Sequence, residues 1–155
     1  MSTDESTIDS LTEVNAYIAK LRYAIDSGCK IVFMQQRHVD SDRDEKFTNR
    51  YTVSELFPNE QPSAALKREL KTLTKENYIR SVIDRRYPDK DRFYEFGKYY
   101  SEGAVYIKTR ISILDHHENC SNSLFVMSFH FAERPFTEST FPYKAKNDKT
   151  TVRRK

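Results

Sequence analysis

Four side chains that can move a proton or hold an anion, Tyr106, Lys108, Arg110 and His130, stand in two neighbouring stretches whose alternation brings them to a common surface. In Gly103–Ile113, the residues Val105, Ile107, Ile111 and Ile113 point one way while Tyr106, Lys108, Arg110 and Ser112 point the other, as a strand period of two requires. In Ser123–Glu133, Phe125, Met127, Phe129 and Phe131 fall on one face and Leu124, Val126, Ser128 and His130 on the other. Antiparallel pairing of the two stretches places a tyrosine, a lysine, an arginine and a histidine side by side. An unperturbed imidazole titrates close to neutral pH and suits proton transfer. Lysine and arginine stabilise developing negative charge, arginine by two parallel bonds to one anion. Each residue also has a plainer reading as part of a solvated or half-buried sheet face.

The elements that must position this surface can be read from the rest of the chain. Residues 1–7 are polar and acidic and read as a disordered lead-in. Ile8, Leu11, Val14, Ile18, Leu21 and Ile25 recur at helical spacing, with Asp9 or Ser10 as cap and Gly28 as terminator. Lys30–Gln35 reads as a short strand, 36–50 as a polar loop and Thr52–Phe57 as a helical turn. A helix opens at Pro62 or Ser63 and runs through Leu70. Thr74 caps a further helix carrying Tyr78, Ile79, Val82 and Ile83 and closed at Tyr87-Pro88. Asp91–Tyr100 reads as a strand in which Gly97 implies a bulge or a close approach by another group. Successive strands joined by short turns make an antiparallel meander, and the helices before them must cover one side. The expected class is therefore α+β: a three- to four-stranded antiparallel sheet, helices on one face, the polar face open. One domain spans 8–143, and a basic tail follows at 144–155.

With 155 residues, 37% of them apolar and 13% aromatic, the chain can build one core. No apolar run approaches the length of a membrane span, so a cytoplasmic protein is expected. Cys29 and Cys120 have no second cysteine at metal or redox spacing and read as reduced thiols. Asp40-Ser-Asp-Arg-Asp44 lacks the glycine and glutamate of a calcium loop. His116, His117, Glu118 and Cys120 cannot readily enclose one tetrahedral ion, and neither a metal nor a cofactor is expected. The net charge of +3 is uneven: residues 1–61 carry −4, 62–112 carry +5 and 113–155 carry +2. Positive charge therefore accompanies the strand region, which favours a polyanionic partner there.

Lys71–Tyr78, Glu95–Lys98, Val105–Lys108, Ser128–Glu133 and Phe141–Lys144, taken in order and spacing, resemble the MqsR-like toxins of bacterial type II toxin–antitoxin systems, which are similar in fold to the RelE group of mRNA endoribonucleases. The likeness covers roughly residues 65–144 and extends to the first 60 only in outline. It implies a small sheet covered by helices, cleavage of mRNA without a metal, free or on the ribosome, and neutralisation by a cognate antitoxin. The protein would be a monomer when free and a hetero-oligomer with its antitoxin. The family's strand tyrosine corresponds to Tyr106 and its helix-motif lysine approximately to Arg80. His130 stands where the best-known members have lysine, and Glu95 where they have glutamine.

Cleavage of RNA by its own 2′-hydroxyl needs a base, cationic stabilisation of the phosphorane and an acid for the leaving 5′-oxygen. The expected catalytic residues are His130, Tyr106, Lys108, Arg80 and Glu95, with Glu95 an alternative base. Arg110, Lys98 and Ser128 are the expected RNA-binding residues, and Tyr106 could also stack on an unpaired base. The exchanges at His130 and Glu95 leave open a non-catalytic module of the same fold that binds RNA or a protein. An inhibitor whose acidic first half mimics nucleic acid is a third reading.

Overall fold

A computed structural model of the chain describes residues 4–34, 44–84, 91–113 and 122–144. The elements are β1 (Asp4–Thr7), α1 (Leu11–Asp26), β2 (Lys30–Phe33), α2 (Asn49–Leu56), α3 (Pro62–Leu70), β3 (Tyr78–Asp84), β4 (Phe93–Tyr100), β5 (Gly103–Ile113) and β6 (Asn122–Phe131). The class is α+β, but the sheet has six strands, in the order β1-β3-β4-β5-β6-β2, rather than three or four. Its pairings are antiparallel except that of β2 with β6. Asp4–Thr7, expected as an unstructured lead-in, forms the edge strand on β3. The Asp40–Asp44 motif lies, apart from Asp44, outside the described residues, as do the His116–Cys120 cluster and the basic tail beyond Lys144.

Three helices give the sheet its core. Ser10 opens α1 with a capping box, its side chain accepting from the Glu13 amide while the Glu13 carboxylate accepts from the Ser10 amide. Val14, Tyr17, Ile18, Leu21, Ala24 and Ile25 then bury one stripe of this helix. Tyr17 stacks on Tyr94 with ring centroids 3.8 Å apart, and its hydroxyl meets Thr109 Oγ1 at 2.8 Å. Pro62 sits in the first turn of α3, which contributes Ala65, Leu66 and Leu70 to the same core.

The largest departure from expectation is Tyr78–Asp84, a strand where the spacing predicts a helix. Thr74 does cap, but it opens only a single 3-10 turn at Lys75–Asn77. A register shift between Tyr78 and Arg80 marks a bulge at Ile79. Tyr78 pairs with Phe96 and Ser81 with Tyr94, all four buried, whereas Arg80 pairs with Glu95 on the other face. The bulge thus spaces two core-facing residues three apart, the interval of a helical turn, while Ile79, Val82 and Ile83 have the branching that suits a strand.

A second bulge corrects the expected faces of β6. The β5–β6 register shifts so that Lys108 faces Ser128 and Thr109 faces Val126, leaving Met127 as the extra residue. Before it, Leu124 and Val126 face the core; after it, Phe129 does. Phe125 therefore joins Ser128 and His130 on the polar face, opposite Arg110, Lys108 and Tyr106 respectively. Asn49 pins the bulge from α2: its Nδ2 donates to the carbonyls of Met127 and Met34, and its Oδ1 accepts from the Phe129 amide. Thr52 Oγ1 accepts from the Phe131 amide. Two side chains of α2 thereby continue, beyond the end of β2, the pairing that a neighbouring strand would give β6.

Residues 132–144 fold back over the polar face. Gly97 is the close approach inferred from sequence, since a Cβ there would lie 2.7 Å from the Phe136 ring. Phe136, Phe141 and Tyr99 form an aromatic cluster over it, and the Tyr143 hydroxyl donates to the Asp9 carbonyl. The buried Asp9 carboxylate accepts from Arg92 and from the Tyr94 hydroxyl. The polar face is thus partly roofed, and what remains uncovered is a depression beside the roof.

Candidate active site

Sheet register builds the site in rows. Arg80, Glu95, Lys108 and Ser128 lie opposite one another across β3, β4, β5 and β6, forming one continuous row on the polar face. The next row holds Gly97, Tyr106 and His130, with the Tyr106 and His130 rings 5.3 Å apart at 43°. A row of aromatics bounds the site on the other side, where the Arg110 guanidinium lies over Phe93 at 4.4 Å and Phe125 at 5.5 Å. The two bulges flank the first row, which is where strand irregularities re-aim side chains. A depression of about 480 Å³ is lined by Arg80, Tyr106, Lys108, Ser128, His130, Glu133 and Arg134.

Within it, the geometry assigns distinct electrostatic roles. Glu95 is 2% exposed, and its carboxylate accepts from Arg80 Nε at 2.7 Å. That bond raises the Arg80 pKa above its already high ordinary value, so the guanidinium is a permanent cation. Glu95 is accordingly placed to orient Arg80. His130 is 6% exposed, with Nδ1 2.9 Å from the Phe131 carbonyl oxygen. A carbonyl only accepts, so Nδ1 carries the proton, and in the neutral ring the lone pair belongs to Nε2. Ser128, 2% exposed, sits between His130 and the bulge and faces Lys108.

Six of the eight expected residues therefore line the depression or its floor: His130, Tyr106, Lys108, Arg80, Glu95 and Ser128. Arg110 is on the same face, one row away, its Nε buried without a hydrogen-bond partner among the described residues. Lys98 is not part of the group. It pairs with Val105 on the helix-covered face and donates to Glu69 Oε1 and Thr72 Oγ1, tying β4 to α3. The reason is parity: Lys98 is an odd number of positions from Glu95 along β4, so it projects to the opposite side. Glu133 and Arg134 line the depression without having been singled out, because they follow β6 and reach the site only through the fold-back of the chain.

Among the described residues, no group of three or more histidine, cysteine, aspartate or glutamate side chains could hold a metal ion, and no helix is long and apolar enough to cross a membrane. Comparison with protein-family models, curated proteins and solved structures finds no match to this chain.

Proposed function

We propose that the protein is an endoribonuclease toxin of a toxin–antitoxin pair, acting on mRNA in the cytoplasm through attack of the substrate's own 2′-hydroxyl. The observation that carries the reading is the pairing of Tyr106 with His130 directly beside the Arg80–Glu95–Lys108–Ser128 row, in a depression about the size of a nucleotide-binding cleft. His130 Nε2 takes the 2′-hydroxyl proton. Arg80, aimed by Glu95, and Lys108 hold the non-bridging oxygens as the phosphorane gathers charge. The Tyr106 hydroxyl gives its proton to the departing 5′-oxygen. The likeness to MqsR-like toxins supports the same reaction and adds a cognate antitoxin as partner. In this assignment every step is made by a side chain of the site, so purified protein cleaves a single-stranded mRNA in EDTA. Intact RNA, both with and without ribosomes, would sink the reading.

One observation favours a second reading, a non-catalytic RNA-binding module. The Glu95 carboxylate is a negative charge on the floor of a site meant for phosphate. Salt-sensitive RNA binding without any cleavage product is the outcome that selects it.

A further inference from the structure

A second depression, of about 440 Å³, lies around the end of the sheet from the first, lined by side chains that include Lys46, Phe47, Tyr51, Glu55, Glu102 and Arg134. Arg134 lines both depressions, so the two share a wall at the corner where the chain leaves β6. The second depression is on the helix side: Phe131 lines it, and Phe131 pairs with Val105 of the core face, whereas the neighbouring His130 faces the first. Tyr51 of α2 is 36% exposed and rests edge-on against Phe131, with centroids 6.3 Å apart. Lys46 Nζ stands 5.2 Å from the Phe47 ring.

We infer that this depression is a subsite for the nucleotide next to the scissile one, so that a single RNA strand turns the corner of the sheet at Arg134; the inference rests on the nuclease reading of the first depression. Three features select such a ligand. A partly exposed aromatic ring backed by another ring is a platform on which any base can stack. Lys46 and Arg134 supply the cations that the connecting phosphates need. Glu55 and Glu102 repel phosphate but accept hydrogen bonds from base amino groups or ribose hydroxyls, so the base and sugar lie toward them and the backbone lies on Lys46 and Arg134. The same helix that carries Tyr51 holds the His130 strand through Asn49 and Thr52, which fixes the spacing between the two depressions.

The test is binding of fluorescently labelled, 2′-O-methylated single strands of about two and about six nucleotides, a length range within one single-strand binding surface. In the wild-type protein the longer strand binds at least about tenfold more tightly, as stacking of one base warrants. Tyr51→Ala and Tyr51→Leu abolish that gain and leave the shorter strand's affinity unchanged, while Tyr51→Phe keeps it. Lys46→Ala lowers the salt slope for the longer strand by about 1. Tyr51→Leu preserves apolar contact with Phe131, so its result stands if the alanine variant unfolds. The inference is overturned by equal affinity for both lengths or by a length gain that survives Tyr51→Leu. A Tyr51-dependent length gain in a protein that cleaves no RNA would retain the subsite and reject the nuclease.

Discussion

Arg80 and Glu95 show how a single pair can serve both the fold and the chemistry. Glu95 is almost wholly buried, while Arg80 is about half exposed, so removing the arginine leaves a carboxylate under the sheet surface without its strongest partner. Arg80→Ala is expected to lower stability by about 1–3 kcal/mol in urea unfolding, the exposed arginine keeping the loss below that of a fully buried pair. It should also cut kcat/KM by about 10²-fold or more through the lost phosphate contact. Glu95→Gln keeps a hydrogen-bond acceptor for Arg80 and removes the negative charge, so activity within about tenfold of wild type is expected, or a gain. A complete loss in Glu95→Gln with the fold intact would instead make Glu95 the base. At this scale the sequence was largely readable: β5 alternates without interruption, so Tyr106, Lys108 and Arg110 fall together by parity alone. Parity also explains the error at Lys98, which the same rule sends to Glu69.

The strands carry the less legible information. Both bulges insert one residue and so convert a spacing of two into a spacing of three, which disguised β3 as a helix and exchanged the faces of β6 ahead of Met127. Nothing local marks either bulge; the one at Met127 is held by Asn49, 78 residues away in sequence. Asn49→Ala strands the Phe129 amide and two carbonyls, and is expected to cost at least about 2 kcal/mol. Because the bulge aims Ser128 and His130, the variant should lose activity even at temperatures where circular dichroism shows it folded; full activity there would separate the bulge from the site. The α3–β4 junction predicts an acid response. Burial raises the Glu69 pKa, but hydrogen bonds from Tyr100, Lys98 and Arg68 outweigh it and hold the carboxyl below its ordinary 4.5. The unfolded chain therefore takes up this proton first as pH falls, so the stabilisation is complete above about pH 4.5 and is lost as pH drops through the depressed value. Glu69→Gln should flatten the pH dependence of unfolding below that point, and an unchanged slope would contradict the assignment.

For the whole molecule, the class and the core were readable because three amphipathic helices precede an aromatic meander, and helices so placed must cover one face of the sheet. The two edge strands were harder. Asp4–Thr7 has no apolar side chain to announce it and joins the sheet by pairing with β3, and a four-residue parallel strand such as β2 shows its neighbour only after the chain has closed on β6. The fold-back of 132–144 was signalled by a single residue, Gly97, whose missing side chain makes room for Phe136. What the described residues present on the polar face is a depression with a histidine, a tyrosine and three cationic side chains, Arg80, Lys108 and Arg134, around it. The most direct test uses an RNA cleaved by the protein and the same RNA with a single 2′-deoxy sugar at the cut. The expected result is 2′,3′-cyclic phosphate and 5′-hydroxyl ends from the first in EDTA, no cut at the substituted position in the second, and a rate about 10²- to 10⁴-fold lower for His130→Ala. Cleavage that persists at the deoxy position, or an undiminished rate in His130→Ala, would contradict it.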